Sequence, residues 1–162
     1  MQTFLPYADF ERSARVLDDK RLGKQRVETL QVMGVLVAAF WDNAAGRVQE
    51  REPKGWRTHP VVLMWRGHEA ALLAYQRATC EVWVDRGFND TCYAKTAALV
   101  EHRFGEVPPP EPPPWFGDEA LHRSHQSNLV RKDAAVYGPL FPGVPDDLEY
   151  VWPPSVRGTS GA

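Results

Sequence analysis

The sequence predicts an all-α protein: a compact single-domain bundle of about four to six helices, with a Pro-rich connector and an extended C-terminal tail. Three observations predict it. Apolar residues recur at three- and four-residue spacing over several long stretches, while period-two alternation is nowhere sustained. Capping residues and glycines stand at the ends of those stretches. A length of 162 residues with 43 % hydrophobic content suits one domain, residues 1–162, with its own core.

Asp9 is placed to cap a short helix through Val16, with Phe10, Ala14 and Leu17 on its apolar side. Asp18 or Asp19 caps the next helix, which is expected to run to about Trp41. Residues 42–57 are polar, contain Gly46, Pro53 and Gly55, and are expected to form a mobile loop. Thr58-His59-Pro60 starts a helix with proline in its first turn. That pattern continues to Arg86 and stops at Gly87, with Gly67 as a point of breakage or bending. Residues 91–103 read as a further helix ending at Gly105. Residues 106–117 are a connector whose PPPEPPP run is stiff and extended. Asp118 caps a helix through about Arg131, and residues 133–137 add one turn. The chain beyond Pro139 is expected to be extended, anchored by Phe141, Tyr150 and Trp152, with a flexible end over residues 153–162.

A net charge of −2 argues against a protein that coats nucleic acid indiscriminately, so any anion site must be a local patch. Cys80 and Cys92 form neither a disulfide framework nor a zinc pattern, and suit small core residues in a reducing compartment. The longest uncharged apolar stretch, residues 32–41, is too short to span a bilayer. The first fifteen residues lack the basic start and apolar run of a signal peptide. A cytoplasmic monomer with no membrane partner is therefore expected. GxGxxG, P-loop, GxSxG and HExxH patterns are all missing, and no cofactor or metal is implied.

LDDKRLGKQRVETLQ is the densest cationic stretch. Residues 12–26 hold six cations against two acids, an asymmetry that fits a phosphate-binding surface. At 100° per residue, Leu22, Thr29, Leu30, Met33 and Val37 form the apolar stripe. Lys20, Arg21, Lys24, Glu28 and Gln31 gather on the opposite arc, where Lys20, Lys24 and Glu28 are four apart and can touch. A solvated face with a weak Lys24–Glu28 pair is the plain alternative. Arg26 falls within the apolar stripe, so its guanidinium must be paired or must line a cavity.

LHRSHQSNLVRKD is the second polar cluster. His122, His125 and Gln126 share a helix face, and Arg131 and Lys132 close the helix where cations suit the dipole. Three readings remain open: histidines bonded to backbone, two ligands of a metal, or phosphate contact by His125, Arg131 and Lys132 beside the first basic helix. His59, at a helix start, either caps it or faces a cleft. Trp56, Trp65, Trp83 and Trp115 read as core or connector packing, with stacking on a base as the alternative for one of them.

Three patches in order resemble the pyrimidine-dimer DNA glycosylase family, the phage-type endonuclease V proteins. LDDKRLGKQRVE is similar to that family's first active-site helix, and Glu28 takes the place of its catalytic glutamate. HPVVLMWRGHEAALLAYQRATCEVWVDRGFN resembles its long second helix, with a similar Arg-Gly-Phe-Asn ending, and HRSHQSNLVRKDAAVYGPLF its C-terminal helix and aromatic tail. Val27 and Gln31 stand where the family carries arginines. The resemblance implies a DNA-repair glycosylase and AP lyase acting on damaged double-stranded DNA, associated with the nucleoid. Family chemistry uses a free α-amine, which here would be that of Met1, forming a Schiff base at C1′ with Glu28 handling protons and sugar charge. Lys20, Arg21, Lys24, Arg26, His59, Arg66, His125, Arg131 and Lys132 would contact the DNA. Two readings from other classes stay open: a non-catalytic nucleic-acid-binding helical protein using the same basic face, and a metal-dependent nucleotide hydrolase built on His122 and His125.

Overall fold

The computed structural model describes residues 1–157; residues 158–162 of the expected flexible tail lie outside the described residues. The regular secondary structure of the described chain is helical, as expected, apart from one hairpin. Helix α1 spans Phe10–Arg15, capped by the Asp9 carboxylate, which accepts from the Arg12 N–H at 2.7 Å. Helix α2 spans Asp19–Val37, capped by Asp18, and buries Leu22, Thr29, Met33 and Val37 of the expected stripe together with Gln25 and Val32, while Leu30 is half-buried.

Helix α2 ends before Trp41. Ala38 takes a left-handed conformation (φ 53°) and its N–H bonds back to Gly34. A Cβ on Gly34 would stand 2.8 Å from the Ala39 carbonyl oxygen, so glycine permits the chain to fold back there. Strands β1 (Ala39–Asp42) and β2 (Arg47–Glu50) pair antiparallel, from Ala39↔Glu50 to Asp42↔Arg47. The Asp42 carboxylate accepts from the Ala44 and Ala45 N–H groups and closes the turn. A hairpin thus occupies much of the expected loop at 42–57. Phe40, Trp41 and Val48 favour strand pairing, and strands of four residues are too short to show alternation.

The pattern beginning at Pro60 divides into α3 (Pro60–Trp65) and α4 (Glu69–Asp85) around Gly67, at φ 84°. Helix α5 spans Cys92–Phe104, α6 Glu119–Lys132 and α7 Ala134–Tyr137. A last turn, α8 (Pro154–Arg157), buries Val156 against the core beside α3, so this part of the expected flexible end is packed. The long helices α2, α4 and α5 pack mutually, and α1 lies on α4. Trp115 ties the proline connector to the core, its indole N–H donating to the Met64 carbonyl at 3.1 Å. Burial pushes both cysteine thiols up, which suits inert core residues.

Arg26, expected among the DNA contacts, is instead a structural partner. Its guanidinium donates to Asp90 at 2.7 Å and lies 4.4 Å from the centre of the Trp83 ring. The two side chains are only 11 % and 8 % exposed. Asp90 also accepts from the Cys92 and Tyr93 N–H groups, so one carboxylate starts α5 and sets the rotation of α2. Trp83 approaches α2 at Gly23, where a Cβ would meet its ring at 3.0 Å.

The N-terminal segment carries no regular secondary structure, yet residues 2–6 are all buried. Side chains satisfy its backbone. Gln25 donates to the Gln2 carbonyl (2.8 Å) and accepts from the Phe4 N–H (3.0 Å). The Tyr75 hydroxyl donates to the Phe4 carbonyl at 2.9 Å. His125 Nδ1 accepts from the Leu5 N–H at 2.8 Å, and His122 Nδ1 donates to the Leu5 carbonyl at 2.8 Å. Gln126 donates to the Pro6 carbonyl at 2.7 Å, and the Trp65 indole N–H to the Thr3 hydroxyl at 2.9 Å.

This corrects the expectation that His125 contacts phosphate: it is wholly buried and faces Leu5, with its ring edge-on to Phe4 and Tyr150. The hydrolase reading also loses its ligands. His122 accepts from the Gly117 N–H through Nε2 and is bonded through both nitrogens. Among the described residues no group of three histidine, cysteine or acidic side chains is placed to hold a metal.

Two stability predictions follow from these contacts. Arg26→Ala leaves Asp90 buried and unpaired and is expected to cost about 3 kcal/mol in urea unfolding. Burial, with the neighbouring His122 adding, pulls the His125 imidazole down from its usual 6.5 to about 3. Unfolded chains therefore take up a proton that the folded state refuses, and stability falls as pH drops through 6.5. Unfolding free energy should fall by about 2 kcal/mol between pH 8 and pH 5 from this group, a loss that His125→Gln removes.

Candidate active site

Helix α2 presents Glu28 three residues after Gln25, so the residue that grips the N-terminal segment and the carboxylate that faces its start share one helix. The Gln2 N–H points at Glu28 Oε2 across 3.4 Å, and Lys24 Nζ lies 3.7 Å from Oε1. The Glu28 side chain is 18 % exposed, open enough to meet a ligand and screened from bulk water. Its negative charge is felt by several neighbours. Burial raises the Tyr75 and Tyr150 hydroxyls, and Glu28 raises both further. Burial lowers the His59 imidazole; the N-terminal amine lowers it further, while Glu28 opposes. His59, the amine of Met1 and Glu28 are thus within electrostatic reach of one another.

Two cavities share Met1 and Glu28 as lining. One, of about 450 Å³, is basic: Lys20, Arg21 and Lys24 from α2 and Lys132 from the end of α6 line it, with Gln2, Gln25 and Tyr150. The Gln2 side-chain NH2 is buried and has no hydrogen-bond partner among the described residues. Arg21 is half engaged, donating to Asp18 at 2.9 Å. Burial opposes ionisation of Asp18, but hydrogen bonds from Tyr137 and Arg21 outweigh it and hold the carboxyl below its usual range. The other cavity, of about 560 Å³, lies between α2, the β1–β2 hairpin, the loop that follows it and α5, with Phe40, Trp41, Trp56 and Lys95 in its walls.

The expected site residues therefore divide. Met1, Glu28, Lys20, Arg21, Lys24 and Lys132 converge. His59 caps α3, its Nδ1 accepting from the Val61 N–H at 3.1 Å, and its ring lies against Trp56 at the edge of the larger cavity. Arg66 is exposed at the end of α3 and bonds the Arg57 carbonyl at 3.3 Å. Arg131 is turned to Asn128 and to the Asp146 carbonyl. Neither arginine lines the two cavities. Arg26 and His125 are structural, as described above. Sequence reasoning missed Gln2, Gln25, Lys95 and the hairpin aromatics. Gln25, four residues before Thr29, lies at the edge of the apolar stripe, and that position is its one signal in the sequence.

No curated protein and no solved structure matches the chain. The family model for pyrimidine dimer DNA glycosylase matches residues 1–96. That span takes in the N-terminal segment, α2 with Glu28, the hairpin, α3, α4 and the first turn of α5. No helix among the described residues is long and apolar enough to cross a membrane. With more than half of its length matched, including the Met1–Glu28 pair, the chain belongs to the pyrimidine dimer DNA glycosylase family.

Proposed function

We propose that this protein is a DNA N-glycosylase with AP-lyase activity that acts on double-stranded DNA through the α-amine of Met1. The observation that carries the reading is the convergence of Met1 and Glu28 at the junction of a basic and an aromatic cavity. The amine forms a bond to C1′ of the damaged nucleotide as the glycosidic C1′–N bond breaks. Loss of the amine proton and opening of the sugar ring give an imine, and removal of a C2′ proton expels the 3′ phosphate. The Glu28 carboxylate stabilises positive charge at the sugar and accepts the transferred protons.

Lys20, Arg21, Lys24 and Lys132 supply the phosphate-binding surface, with His59, Arg66 and Arg131 as outlying contacts on the duplex. A net charge of −2 leaves this local cluster to supply the attraction.

The test is borohydride trapping on irradiated and on abasic DNA. A covalent adduct is expected on both, and it should vanish when residues are added before Met1. Glu28→Gln should lower strand scission roughly a hundredfold or more while keeping DNA binding. Salt-dependent binding with no adduct and no scission would favour a non-catalytic DNA-binding protein instead. Lys20→Ala and Lys132→Ala should each lower the slope of log affinity against log salt by about 0.9, the contribution of one phosphate contact.

A further inference from the structure

The proline connector between α5 and α6 has chemistry that DNA binding does not use. Residues 107–114, VPPPEPPP, lie outside every helix and strand. Each proline fixes its own φ at about −65°, and a residue that precedes proline is driven to extended backbone. Within residues 107–113 only Pro110 precedes something other than proline. The run is therefore held as polyproline II, with three residues per turn. Both of its ends are tied. Helix α5 stops at Gly105, whose N–H bonds the Glu101 carbonyl at 2.8 Å. At the other end Pro113 and Trp115 are buried, and the Phe116 N–H donates to the Pro113 carbonyl at 3.0 Å.

Between these anchors residues 106–112 are all exposed. At three residues per turn, Val107, Pro110 and Pro113 form one ridge, which Pro113 seats on the body of the protein. Pro109 and Pro112 form a second ridge, and Pro108, Glu111 and Pro114 a third. The carbonyls of residues 107–112 accept no hydrogen bond among the described residues. A cavity of about 370 Å³ separates the run from α1 and α4, walled by Phe10, Ala71, Ala74 and Phe116 with Pro110 and Pro112. The run is thus a strut that stands clear of the helices between two fixed points. Residues 104–117 hold two acids, Glu106 and Glu111, and no cation, so this surface repels a polyanion. None of these residues lines the two cavities that Met1 and Glu28 share.

We propose that the strut is a docking site for a partner protein that reads polyproline II through a groove walled by aromatic rings and rimmed by cations. The two outer ridges fit between such rings, and the free carbonyls accept from indole or phenol donors of the groove. Glu106 and Glu111 meet the cations of its rim. A flexible peptide of the same sequence would lose more conformational freedom on binding than a strut already tied at both ends.

The site is tested without DNA, so its failure and the failure of the glycosylase reading are distinguishable. Fluorescently labelled SH3, WW and EVH1 modules with cationic rims are titrated with the full chain. At least one should bind, and Pro109→Ala/Pro112→Ala should weaken that binding about tenfold or more. Glu111→Lys, which keeps every proline, should weaken it about threefold at low salt and less at high salt. A synthetic peptide of residues 104–117 should bind the same module at least about threefold more weakly than the full chain. Pro109, Glu111 and Pro112 are exposed, so thermal unfolding of both variants should match wild type. No module bound by the wild-type chain, equal binding by the proline variant, or a peptide that binds as tightly as the full chain would each overturn the docking site and leave the run as a spacer.

Discussion

The structure depends on the way side chains bind the backbone of residues 2–6. A buried segment outside helix and sheet has no ladder to satisfy its polar groups, and each one left bare costs about 1–3 kcal/mol. Here Gln25, Tyr75, His122, His125 and Gln126 supply the missing partners from three different helices. Chain termini ordinarily fray. This one is held from several sides, and the first residue emerges beside Glu28. On the function proposed above, the Met1 amine needs a fixed position, and a terminus can have one only if the chain behind it is tied down.

The same requirement explains the composition of α2. Its residues do three separate jobs at helical spacing. Gln25 and Thr29 face inward, where Gln25 bonds both the N-terminal segment and the Thr29 hydroxyl. Arg26 sets the helix against Asp90 and Trp83. Lys20, Lys24 and Glu28 keep the open face. The sequence motif therefore mixes charges that line an open cavity with a charge that holds the fold. Removing either kind would reduce activity, but only the second would do so by releasing the helix.

Much of this was legible from the chain alone, and the failures have physical causes. Caps at Asp9, Asp18 and Asp118 and the break at Gly67 are local signals and were readable where they stand. The anomaly of Arg26 was readable because a wheel places it among apolar residues, but its partner lies 64 positions away. The histidine cluster resisted reading for the same reason, since its partner is a backbone amide 120 positions distant. Strands of four residues leave too little pattern to detect. Lys95 is one more lysine on a helix until the hairpin closes over it.

The placement of the two cavities bears on how a protein of net charge −2 handles a polyanion. The lysines of α2 and α6 gather with Arg21 in one cavity, while the cavity under the hairpin has aromatic walls together with Arg51 and Lys95. Glu28 stands at that boundary, paired weakly with Lys24 on the basic side. A carboxylate there repels a backbone phosphate from the reacting position while favouring a sugar that turns cationic as its base departs. On the function proposed above, phosphates are drawn to the lysines and the sugar centres between Met1 and Glu28. On that reading, the charge distribution that orients the substrate also favours the bond that is broken.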